Sequence, residues 1–236
     1  RDPVARAAHG ALLMQLARPE EAVPPLEMAA AMIEGHVGWI ERDTKRVVQV
    51  NLGWAYAAIG RTDDALRVLR EAAADGDVSA MNNLGSVLGR VGEWEEAQEV
   101  LERARLRDPD DPNVQSNLGW VYANLGRLDE AALILQRAIL QQPTEPSAHG
   151  NLGWVRLRAG DPAGAQHALE MALMLQPDNP WVVNMLGVAS ARLGDWPRAI
   201  AYFERALRLV PDSDLARQNL VRALVHQEPS LSAEAP

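Results

Sequence analysis

Leu-Gly recurs along this chain at Leu52, Leu84, Leu118, Leu152 and Leu186, and Leu220 continues the series without its glycine. The interval is 32 residues once and 34 thereafter. Ala65, Ala97, Ala131, Ala165 and Ala199 repeat the same intervals, and Pro109, Pro143, Pro177 and Pro211 form a third ladder. Three ladders in register mean that one small unit is copied along the chain. Units of this size cannot bury an apolar face alone, so they must stack on one another. The usual division of 236 residues into one or two globular domains therefore does not apply.

Each unit reads as two helices. Between Asn113 and Leu125 the apolar residues Val114, Leu118, Val121 and Leu125 lie three or four apart, which marks one buried helical face. Gly126-Arg127-Leu128-Asp129 breaks the chain, and Asp129 and Glu130 suit the positive end of the helix that follows. That second helix carries Ala131, Leu135 and Ala138 on one side. Gly119 and Ala131 are small enough for two backbones to approach closely, and Pro143 stops the unit. A single Phe among plentiful Ala and Leu favours helices over sheets.

The pattern resembles the tetratricopeptide repeat: Leu and Gly in the first helix, then Ala, a large apolar residue, Ala and Pro in the second. Five units fit it, at 46–77, 78–111, 112–145, 146–179 and 180–213. Residues 1–45 read as a degenerate first repeat with an inserted, lengthened helix running through Trp39, since Arg18–Ala22, Leu26 and Ala29 match Gly126–Ala131, Leu135 and Ala138. Residues 214–228 read as a capping helix and 229–236 as a disordered tail. The resemblance implies an all-α, right-handed superhelical solenoid of antiparallel helix pairs. It also implies a non-catalytic interaction scaffold, whose concave groove takes an extended peptide or a helix of a protein partner.

With Leu, Gly and Ala committed to packing, the recurring Asn and Trp of the NLGW string remain. Numbering each unit from its first residue, positions two, six, nine and thirteen form one stripe, flanked by five and twelve. In the family this stripe faces the groove. The sixth residues Asn51, Asn83, Asn117 and Asn151 could bond a peptide backbone without reading its sequence, or could brace neighbouring helices. Trp54, Trp120 and Trp154 at the ninth position, with Trp181 at the second, could anchor apolar side chains or fill the groove floor. Trp94 and Trp196, at second-helix starts, read as core. Arg90, Arg158 and Arg192 at the thirteenth position would favour an acidic ligand, or pair with nearby Asp and Glu. Asn184, at the fifth, completes the candidate surface.

Other functions find less support. A net charge of −9 argues against general nucleic-acid or anionic-membrane binding. With no cysteine there is no disulfide framework or thiolate site, and the five histidines lack the i, i+4 spacing of a helical metal site. No apolar run approaches the roughly 20 residues that span a bilayer. No cofactor, metal or catalytic group is expected. The basic clamp that some family members use on chaperone C-terminal carboxylates is missing, because the fifth residues are Val50, Asn82, Ser116, Gly150 and Asn184. Because the chain starts at Arg1 rather than Met, a signal peptide or further domain could precede it. A bacterial, cytoplasmic interaction protein is expected, with a homo-oligomeric assembly module or the regulatory arm of a larger protein as rivals.

Overall fold

The computed structural model describes residues 2–33 and 39–226, the side chains of 39–43 excepted. The expected tail at 229–236 lies outside the described residues, as does part of the expected insertion. All regular structure among the described residues is helical, and it falls into two compact units, 1–109 and 110–236. The first holds α1 (Pro3–Gln15), α2 (Pro19–Ile33), α3 (Trp39–Ala58), α4 (Thr62–Ala74), α5 (Val78–Arg90) and α6 (Trp94–Arg107). The second holds α7 (Pro112–Asn124), α8 (Leu128–Gln141), α9 (Pro146–Arg158), α10 (Pro162–Leu175), α11 (Pro180–Arg192), α12 (Trp196–Leu209) and α13 (Asp214–Leu224).

Helix starts and stops follow local chemistry. Asp111 accepts from the amides of Asn113 and Val114 ahead of Pro112, and Asn179 does the same for Trp181 and Val182 ahead of Pro180. A side-chain oxygen before a proline satisfies donors that the first turn leaves open. First helices end on a left-handed residue, as at Gly126 with φ +80°, whose N–H reaches the carbonyl of Ala123. At the end of α1 this position is Ala17, with φ +55°. A β-carbon is strained there, so Ala17→Gly is expected to raise stability by about 1 kcal/mol in a denaturant melt. An unchanged or lower midpoint would show that the turn carries no strain.

The hairpins close on glycine. A β-carbon added at Gly119 would stand 2.5 Å from Leu135 Cγ, and Gly53 meets Leu69, Gly85 meets Leu101 and Gly153 meets Leu169 in the same manner. Gly187 meets Phe203, the largest of these partners. Gly10 meets Leu26 with the same geometry, so α1 and α2 form a hairpin of the same kind as the others. The irregularity enters next, where α3 has 20 residues against 13 in α5.

Within each unit the odd-numbered helices touch their next odd neighbours, α1 with α3 and α3 with α5, then α7 with α9, α9 with α11 and α11 with α13. Even-numbered helices touch no even neighbour among the described residues. First helices therefore form an inner layer and second helices an outer one. In the first unit, Tyr56 Oη donates to Glu27 at 2.7 Å and Arg61 lies 4.2 Å over its ring, tying α3 to α2. Burial, and then the bond to the Glu27 carboxylate, push this phenol up to about 12. The folded state keeps its proton where the unfolded chain loses it, so this contribution is full below pH 10 and fades as pH rises towards 12. An ultraviolet pH titration of wild type against Tyr56→Phe should show one phenol ionising late. Three Tyr titrating together near their usual value would refute the placement.

Candidate functional site

The inner layer carries the stripe singled out by the repeats, and its residues fall into two groups. Trp54 on α3 is 50 % exposed, and Val47, two turns before it, is exposed as well. Asn51 on α3, Asn83 on α5 and Asn117 on α7 are half-buried, and Arg90 stands exposed at the end of α5. Trp120 and Trp154 do not present their rings to solvent, being only 4 % and 2 % exposed. Of the two roles open to the NLGW tryptophans, burial gives Trp120 and Trp154 the packing one, which corrects their expected place among the apolar anchors, and leaves Trp54 exposed.

The residue four positions further on distinguishes them. After Trp154 comes Arg158, whose guanidinium lies 5.1 Å over the indole and whose Nη1 donates to the carbonyl of Ala123 on α7. After Trp120 comes Asn124, whose amide turns back to the Trp120 carbonyl at 3.0 Å. After Trp54 comes Ala58, too short to cover a ring. Arg192 repeats the reach of Arg158 and donates to the carbonyl of Leu157 near the end of α9. These arginines serve the C-terminal carbonyls of the preceding first helix, where a cation is favoured. Their positions left an acidic ligand or a pairing with Asp and Glu open, and the bonds to Ala123 and Leu157 give them a bracing role between repeats.

The amides divide in the same way. Asn151 is buried, and its Nδ2 donates to Ser116 Oγ at 3.3 Å. Asn219 is buried on α13 and donates to Asn184 Oδ1 at 3.3 Å. In both, a sixth-position amide meets the fifth-position side chain of the preceding repeat, so Asn151 and Asn184 act as braces. The fifth position is polar in three of the five units, at Asn82, Ser116 and Asn184, and is Val50 and Gly150 in the other two. Polarity at Ser116 and Asn184, paired with Asn one repeat later, was the available signal for the bracing. Gly150 instead makes room for Trp181: a β-carbon there would stand 3.2 Å from Cζ3 of the indole. Trp181 is half-buried, Trp94 is half-buried, and Trp196 stacks on His226 with centroids 5.0 Å apart.

Among the acidic starts of the second helices, Asp64 and Glu130 pair with the arginine three residues before, and Asp161 and Asp195 cap their helices. Arg61 beside Asp64 and Arg127 beside Glu130 hold those carboxyls below their usual range. No group of three or more His, Asp or Glu placed to hold a metal ion occurs among the described residues, and no described helix is long and apolar enough to cross a membrane.

Three family models of the tetratricopeptide repeat match this sequence, at residues 46–71, 90–152 and 151–214. The chain belongs to the tetratricopeptide repeat family. The fold agrees. A thermophilic repeat protein of Thermus thermophilus superposes with a TM-score of 0.68 at 24 % identity, over 76 % of this chain and 99 % of that one. PilF of Pseudomonas aeruginosa gives 0.70 at 17 % identity, over 95 % and 97 % of the two chains. The Cut9–Hcn1 hetero-tetramer of the APC/C gives 0.82 at 21 % identity, over 94 % of this repeat protein and 43 % of that chain. At such identities the likeness is one of fold. No curated protein matches the sequence.

Proposed function

We propose that this tetratricopeptide repeat protein is a non-catalytic scaffold that binds an extended segment or a helix of a protein partner along its first helices. The carrying observation is Trp54, half exposed on the inner layer of the first unit beside Val47 on the same helix. A large, stiff side chain left in water on a receptor surface is a typical anchor for a partner's apolar residue. Asn51 and Asn83 flank it with amides that can bond a peptide backbone in either direction. In the second unit, Asn151 and Arg192 tie neighbouring first helices together. Family membership favours protein partners.

The test is a peptide-display selection on wild type, repeated on Trp54→Ala. The selected peptides should bind the variant at least about tenfold more weakly, while its melting temperature stays within about 2 °C of wild type. Equal binding to both proteins removes Trp54 from the site, and the reading loses its anchor.

Self-association is a second reading with its own observation. Val221, Leu224 and Val225 leave α13 with an exposed apolar face, and Val4, Leu12 and Leu16 do the same for α1. Light scattering over a hundredfold range of concentration distinguishes it, because a receptor without ligand keeps one mass.

A further inference from the structure

A cavity of about 220 Å³ opens in the second unit between α11, the end of α12 and the start of α13. Ala206, Val210 and Leu215 give it aliphatic walls. Its polar edge is Trp181, Asn184 and Ser213. The Asn184 side chain is buried, only 4 % exposed, and its Oδ1 already accepts from Asn219. Its Nδ2 is buried with no acceptor, and so is Nε1 of Trp181. Ser213 Oγ accepts from the amide of Ala216, a bond that does not use the hydroxyl hydrogen. Two buried N–H donors without acceptors and one hydroxyl thus belong to side chains that line one apolar-walled space.

Buried N–H groups without acceptors cost stability, and a structure that keeps two at one cavity gains by offering them to a guest. None of the residues lining it is charged. A carboxylate entering would lose its hydration and find no cation, whereas a neutral carbonyl oxygen loses little and meets donors. We propose that this cavity is a subsite for an internal stretch of extended peptide, taking one main-chain carbonyl and the aliphatic side chain beside it. The proposal rests on the scaffold reading and deepens it, since Trp181 and Asn184 are the second and fifth residues of their unit. The side chain packs on Val210 and Leu215. Recognition is of neutral backbone next to Leu, Ile or Val, the opposite of a terminal-carboxylate clamp.

The test is a two-dimensional ¹H–¹⁵N NMR titration of the whole chain with N-acetyl-leucine N-methylamide, and in parallel with N-acetyl-leucine, which carries a carboxylate. The Trp181 indole and Asn184 side-chain signals should move downfield and saturate with a dissociation constant in the millimolar range expected of so small a guest. N-acetyl-leucine should bind at least about tenfold more weakly. Val210→Phe fills the cavity from its exposed rim and should abolish the shifts. Trp181→Phe keeps a ring on Gly150 but removes the donor, and should weaken binding by about threefold or more. Signals that stay still, equal binding of the carboxylate, or shifts that survive both substitutions each overturn the proposal. The Trp54 indole is a separate signal in the same spectra, so failure at this cavity is read apart from failure of the Trp54 surface.

Discussion

Trp154→Ala is expected to destabilise the protein by about 3–5 kcal/mol and to lower its melting temperature by roughly 10 °C or more. The indole is 2 % exposed and is covered by the Arg158 guanidinium, so its removal opens a hole and also strips that cation of its platform. Arg158 reaches from there to the carbonyl of Ala123 on α7, and loosening it weakens the seam between two first helices. Trp54→Ala, half in water at the same repeat position, is expected to change the melt by no more than about 0.5 kcal/mol. The contrast is measurable by thermal melts together with acrylamide quenching of the tryptophan emission. Wild type should show a protected, blue-shifted population that Trp154→Ala diminishes and a readily quenched one that Trp54→Ala removes. Equal costs for the two substitutions would contradict the division between packing and exposed tryptophans.

Gly153→Val is the other large effect, expected at about 3 kcal/mol or more. A β-carbon at this position would stand 2.5 Å from Leu169 Cγ and 3.2 Å from the carbonyl oxygen of Ala165. The leucine can shift, but the carbonyl belongs to the backbone of α10 and can move only if the hairpin opens. Gly153→Ala should cost less, because part of the clash is offset by the roughly 1 kcal/mol that Ala gains over Gly in a helix. A double substitution separates the two contacts. Adding Leu169→Ala to Gly153→Val should recover part of the loss if the leucine clash dominates, and none if the backbone contact does. A Gly153→Val protein that melts like wild type would mean that the two helices do not approach so closely.

The repeat made the fold readable from one sequence. Leu-Gly and Ala ladders report the closest helix contacts, and those contacts are within a hairpin, where sequence separation is short and the same in every copy. Gly119 against Leu135 could be anticipated for that reason, and the family match and the helices agree with it. The candidate site was less legible. The stripe of Asn and Trp lies on the first helices, as the periodicity predicts, but a shared repeat position does not say which of its members the neighbouring repeat covers. Ala58 after Trp54 and Arg158 after Trp154 were both visible in the sequence, and neither announces what it covers.

The unit is legible in the sequence alone: its length, its two helices, its close-packed glycine and the face that holds Asn and Trp. These follow from local periodicity and sterics, which one copy of the unit already contains. Which of those polar and aromatic residues lie between repeats emerges only from the assembled stack. Asn151 meets Ser116, Arg158 meets Ala123 and Arg192 meets Leu157, each 35 residues away. Such contacts depend on how one repeat sits against the next, a geometry set by the summed packing of many side chains. Trp54 is half in water at the same repeat position where Trp154 is buried, and that difference is a property of the stack.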